Sequence, residues 1–192
     1  MVKLLDTACS SAEPVMVPAA KPPAQYFASV VSSIISQQIS TKAAAAVQAR
    51  VVQTLGGTID PEAVTATPEE ELRAAGLSRQ KVKYLKHNAE AWPSLHTSDW
   101  PALDDEAIIT ELSSLYGIGR WTAEMFLIFS LGRPDVFSFG DLGLMAGLYQ
   151  CYPELRPHYV RKIEQRVASW SPHRTTASLV LWWHKDGGPV LL

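Results

Sequence analysis

The sequence predicts an all-α protein, and three observations carry that prediction. Apolar residues recur at helical spacing, as in Phe27, Val30, Val31, Ile34 and Ile35, and again in Ile108, Ile109, Leu112 and Leu115. Serine and aspartate stand where helices would begin, and glycine where they would end. The alternation that marks a half-buried strand is absent throughout. At 192 residues and 47% apolar content, the chain can bury a core as one domain or as two small lobes.

Taken in order, residues 1–24 carry Pro14, Pro18, Pro22 and Pro23 with little periodicity and read as an extended arm. A helix starts at Ala24 and stops around Gln37-Gln38-Ile39-Ser40, where Ser40 can cap a second helix over 41–55. Gly56-Gly57 ends that one. Thr67-Pro68-Glu69-Glu70 reads as a capping box with proline at the first helical position, opening a short helix that ends at Gly76. Ser78 can cap the next, which runs to Trp92, and residues 93–103 make a loop. Asp104 or Asp105 can cap a helix that ends at Leu115. Further helices are expected after Gly119 and over 141–151, 156–169 and 173–186. Leu72 to Lys81 faintly echoes the turn at Gly117.

Charge leaves function open. The net charge is −2 with a pI near 6.2, which does not announce a nucleic-acid binder. Two local clusters run against that total: Arg79, Lys81, Lys83 and Lys86, then Arg156, His158, Arg161, Lys162 and Arg166. Each reads equally well as a solvated helix face. No apolar run approaches a membrane span, and Met1 to Ser10 lacks a signal-peptide core. Cys9 and Cys151 are too few for a disulfide framework, so buried thiols and a cytoplasmic setting are expected, nucleoid-associated in a bacterium. The five histidines show no ligand spacing.

The densest chemistry lies between Leu115 and Asp141. Gly117 and Gly119 permit positive φ and let backbone amides approach a ligand closely. Amides at the start of the following helix have no intrahelical partner and the positive end of the dipole behind them, so the turn can hold a phosphate. A nucleotide-binding glycine loop fits poorly. The segment before Gly117 is helical, and Thr122 stands where a third glycine should fall.

The whole string (the Tyr116–Gly119 hairpin, Trp121-Thr122-Ala123, the Leu131-Gly132-Arg133-Pro134-Asp135-Val136-Phe137 loop and Asp141) resembles the helix-hairpin-helix DNA glycosylase superfamily. Within it, the chain is similar to the monofunctional 3-methyladenine DNA glycosylase II type, from about Phe27 to about Gly187. That resemblance implies a two-lobed helical bundle with a cleft, residues 40–141 forming the central lobe and 1–39 with 142–192 the other. It also implies base-excision repair of double-stranded DNA carrying alkylated purines, by a monomer that requires no cofactor. A non-catalytic helix-hairpin-helix DNA-binding module is the rival reading, and an oxidised-purine or mismatch glycosylase a third.

The same resemblance assigns roles. Asp141, which also suits a helix N-cap, stands where a carboxylate faces the sugar as positive charge develops, to activate water or stabilise the cation. Trp121 occupies the position where strand-cutting relatives carry a lysine nucleophile, so excision without lyase activity follows. Trp121, Trp182, Phe137, Phe139 and Met125 line the base pocket. Gln38, Ile39 and Ser40 form the wedge that fills the gap left by a flipped base, with Ile39 inserted. Gly117, Gly119 and Thr122 hold phosphate. The carbonyls of Ser113, Leu115 and Gly117 would carry a monovalent cation (sodium or potassium), by fold analogy alone. Arg174 matches a structural arginine. Gly140 and Met125 depart from the pattern, at an acidic and an aromatic position respectively, which bears on substrate range.

Overall fold

The computed structural model describes residues 15–155 and 159–186. Among them the chain forms ten α-helices and no strand, and no helix is long and apolar enough to cross a membrane. Two compact units emerge: Lys21–Phe126, and Leu127–Leu192 with Met1–Ala20. These boundaries differ from the 39/40 and 141/142 divisions set from sequence. The cause is packing: α1 (Tyr26–Ser36) lies against α2 (Thr41–Thr54) and α5 (Arg79–Ala91).

In the first unit α1 buries Tyr26, Phe27, Val30, Val31, Ile34 and Ile35, the face its periodicity marked. Trp100, in the expected loop, is nonetheless fully buried. It stacks on Tyr26 at 5.6 Å and meets Phe126 edge-on at 5.5 Å, and its indole N–H donates to Glu111 Oε2 at 2.7 Å. Ser40, Ser78 and Asp104 cap α2, α5 and α6 (Asp105–Ser113) by accepting backbone N–H groups.

Two expectations fail here. The capping box at Thr67 does not form, because the Thr67 hydroxyl donates back to Ala63 O at 2.8 Å and closes a helix the sequence reading missed. That helix is α3 (Pro61–Ala66), capped by Asp60 and burying only Val64, too short to show a period. Helix α4 (Glu69–Ala74) then starts after Pro68 without a side-chain cap. Two lysines of the first basic cluster take neither of the roles that charge left open, a basic patch or a solvated face. Lys81 Nζ donates to Ile35 O at 2.7 Å and Gln37 O at 2.8 Å, and Lys86 Nζ donates to Thr65 O and Thr67 O. Both hold the C-terminal ends of helices, where carbonyls lack intrahelical partners, rather than awaiting phosphate. Partial burial lowers the pKa of Lys81.

In the second unit α8 (Leu142–Cys151) packs on α10 (Arg174–Asp186). The two backbones come so close that a Cβ at Gly147 would lie 2.5 Å from Leu181 O. Helix α9 (Val160–Ala168) buries Ile163 and Val167. Of the second basic cluster, Lys162 lies over the Tyr159 ring and Arg166 over the Tyr152 ring, each at 4.7 Å. Arg156 and His158 lie outside the described residues, as does Cys9. Cys151, expected as a thiol, is disulfide-bonded, since too few cysteines for a framework do not forbid one bridge.

Helix α5 provides a direct contrast between buried and exposed positions. Leu85 is fully buried and Lys83 exposed on the same helix. Denaturant unfolding should show Leu85→Ala losing about 2–5 kcal/mol. Lys83→Ala should stay within about 0.5 kcal/mol of the wild type.

Candidate functional site

The hairpin belongs to the first unit. Helix α6 ends at Ser113, two residues short of the expected Leu115, and α7 (Arg120–Phe129) begins directly after Gly119. Gly117 adopts a φ of +78°, and a Cβ there would lie 2.5 Å from the Tyr84 ring. Both facts require glycine. Gly119 is different: its φ is not positive and a Cβ would meet nothing within 4 Å, so the backbone here is open to approach.

Three α5 side chains hold this turn. The Asn88 amide donates to Tyr116 O at 3.0 Å and its carbonyl accepts from Tyr116 N at 2.8 Å. His87 stacks on Tyr116 at 3.6 Å, and Tyr84 meets it edge-on. Asn88 is fully buried, so its two bonds satisfy groups that would otherwise be costly to bury. Sequence reasoning missed Asn88, whose partner lies 28 residues away. Thr122 is buried in the first turn of α7, while Trp121 is 47% exposed. Met125, half-buried, shares the Trp121 face at i+4.

The turn expected to supply the wedge is tied to the same hairpin. Gln37 Nε2 donates to Gly117 O at 2.8 Å. Gln38 is exposed with a φ of +61°, an uncommon conformation for a non-glycine residue of the kind often found at functional sites. Ile39 is 40% exposed, a large apolar side chain facing solvent, and Ser40 caps α2.

Asp141 stands in the second unit at the end of a loop that α10 holds along its length. Arg174 grips Asp135 through Nε to Oδ1 at 2.7 Å and Nη2 to Oδ2 at 2.9 Å, and its backbone N–H adds a third bond at 3.0 Å. Ser171 donates to the same carboxylate at 2.7 Å. The Thr175 hydroxyl donates to Arg133 O at 2.6 Å and accepts from Val136 N at 3.0 Å. Ser178 Oγ lies 3.1 Å from Val136 O. At the loop's end Asp141 caps α8, its Oδ1 accepting from Leu144 N at 2.5 Å and from the Trp182 indole N–H at 3.0 Å. Arg174 therefore has the structural role assigned to it, while Thr175 and Ser178 went unnoticed because nothing local in sequence marks their partners about 40 residues away.

The remaining pocket candidates fall into two kinds. Phe139 is 49% exposed, with Leu142 more exposed still beside Asp141. Phe137 is buried between Phe139 at 4.9 Å and Trp170 at 5.9 Å, and Trp182 is buried against Phe129. The candidate aromatics that remain about half exposed are Trp121 in one unit and Phe139 in the other.

Asp135 gives the loop a pH signature. The Arg174 guanidinium, outweighing the effect of burial, holds its carboxyl at about 2, below the ordinary 3.8. A depressed folded pKa means stability fully present above about pH 4 and lost as pH falls through about 2, worth on the order of 1–2 kcal/mol after screening. Thermal melts of the wild type and Asp135→Asn between pH 5 and pH 2 should converge toward the acid end. Parallel curves would exclude the ion pair as the source.

Comparison with known proteins supplies the frame for these two constellations. The family described as HhH-GPD superfamily base excision DNA repair protein matches residues 31–173. The chain is 31% identical to the DNA-3-methyladenine glycosylase of Saccharomyces cerevisiae, over 82% of its own length and 66% of that relative's, just under two thirds. A DNA-3-methyladenine glycosidase crystal structure from Bacillus halodurans has a TM-score of 0.81 at 38% identity, covering 91% of this chain and 80% of that one. The 3-methyladenine DNA glycosylase Mag1 of Schizosaccharomyces pombe, solved with abasic DNA, has a TM-score of 0.72 at 33% identity, covering 92% and 86%. With the helix–hairpin–helix at Gly117 and the match running through most of the described helices, the chain belongs to the HhH-GPD superfamily of base excision DNA repair proteins.

Proposed function

We propose that this protein is a monofunctional DNA glycosylase that flips alkylated purines of the 3-methyladenine and 7-methylpurine type out of duplex DNA and excises them with water. The observation that carries the reading is Asp141: a carboxylate at the N-terminus of α8, fixed by two N–H donors before any substrate arrives. Anionic charge held in place costs no reorganisation when an oxocarbenium-like sugar forms, which is where such groups contribute most. The names of the curated relatives and solved neighbours support the choice of lesion.

The chemistry is hydrolytic. The C1′–N bond breaks with its electron pair going to the base, water adds its oxygen to C1′, and the proton passes to solvent. An alkylated purine already carries positive charge and leaves as a neutral base, so little acid catalysis is needed. Trp121, two residues after Gly119, has no amine with which to form a Schiff base, and the strand is left intact at an abasic site. Its exposed indole offers a face on which a cationic base gains about 0.5–2 kcal/mol. Ile39 and Gln38, exposed on a turn bonded to the hairpin, fill the gap in the stack.

At the hairpin, backbone amides near Gly117 and Gly119, where α7 begins, receive phosphate. The carbonyls of Ser113, Leu115 and Gly117 would hold a monovalent cation, which would supply positive charge at the hairpin. Leu115 O and Gly117 O already accept from Ile118 N and Gln37 Nε2, and a carbonyl's second lone pair leaves room for the ion. Recognition of the damaged duplex by a single copy of the chain completes the proposal.

The test is release of free base from methylated duplex DNA, with strand breaks scored before and after alkali. Alkylpurine release with breaks only after alkali is expected. Breaks without alkali would remove the monofunctional reading, and duplex binding without release from any lesion would hand the protein to the non-catalytic DNA-binding alternative.

A further inference from the structure

Trp182 has been considered as a surface for the base, but its surroundings point elsewhere. The indole is 7% exposed and sits against Phe129 at 6.1 Å, so it has little face to offer. Its polar edge is the part in use, because Nε1–H donates to Asp141 Oδ1 at 3.0 Å. That oxygen also accepts from Leu144 N, so both donors act on one atom and fix the rotation of the carboxylate. Gly143 completes the arrangement. A Cβ there would stand 3.2 Å from Asp141 Oδ1, closer than an ordinary contact, and 3.6 Å from Trp182 Nε1, an ordinary one, so an added methyl would press on the carboxylate oxygen by a few tenths of an ångström.

We propose that Trp182 is a positioning residue that acts through Asp141, holding its carboxylate in one orientation by the indole N–H. The inference rests on the proposed role of Asp141 and deepens it. Trp182 follows Arg174 and Ser178 at four-residue intervals, so the contact ends the row of α10 side chains that holds the loop. A hydrogen bond to a charged group is among the stronger ones, and its loss should appear in the chemical step rather than in binding.

The experiment is single-turnover release of 7-methylpurine from methylated duplex, with spontaneous depurination subtracted, alongside affinity for an abasic-site duplex and the melting temperature. Trp182→Phe, which keeps a ring and removes the N–H, should lower the rate roughly tenfold or more with affinity unchanged. In an Asp141→Asn background the same change should add nothing to the residual rate. Gly143→Ala, whose methyl would press on the same carboxylate oxygen, should lower the rate in the same direction with affinity unchanged, and serves should Trp182→Phe fail to fold. An undiminished rate in both variants overturns the inference. So does an equal loss in the Asp141→Asn background, or weakened affinity, since either would show direct contact with the lesion. Absence of release by the wild type would instead overturn the reading of Asp141, and this inference with it.

Discussion

The polar face of α10 is the constraint on which the loop ending at Asp141 depends. Arg174, Thr175, Ser178 and Trp182 lie along one side of a single helix and reach successive points of the loop from Arg133 to Asp141. A loop cannot satisfy its own backbone as a helix does, and each buried polar group without a partner costs about 1–3 kcal/mol. Here the helix supplies those partners from side chains. Order along the loop therefore follows from α10, and α10 is itself pressed onto α8 at Gly147, where only a hydrogen fits.

The hairpin follows the same logic with different parts. Its backbone is open at Gly119, and the turn is held from its other side. Asn88 exchanges two hydrogen bonds with Tyr116, His87 stacks beneath it, and Gln37 takes the Gly117 carbonyl. In both units, then, an irregular segment carries the candidate residues while a neighbouring helix contributes the rigidity. Asp141 shows how economical this becomes: one carboxylate oxygen both starts α8 and receives the group that orients it.

How much of this could be read from sequence depended on range. Helix α1 announced itself by its apolar spacing, and Ser40, Ser78, Asp104 and Asp141 by standing at the start of helices they do cap. These signals operate over three or four residues. The resemblance to the glycosylase superfamily marked the hairpin, which does form between α6 and α7, and named Asp141 as the catalytic candidate, without any geometry. What escaped was long-range or ambiguous. Thr67 had two helices within reach and bonded the earlier one. Lys81 and Lys86 read as a basic patch because charge is visible in sequence, whereas the helix ends they close lie up to 46 residues away. Asn88, Thr175 and Ser178 are unremarkable residues until their partners, 28 to 42 positions distant, are in place.

The central claim, that a carboxylate held at the start of α8 drives excision, is tested most directly by single-turnover assays of Asp141→Asn. Asparagine is itself a good N-cap, so the fold and affinity for abasic-site DNA should persist while the rate falls by about a hundredfold or more. Excision retained within about tenfold of the wild type would contradict the account, because the charge would then not be what the site supplies.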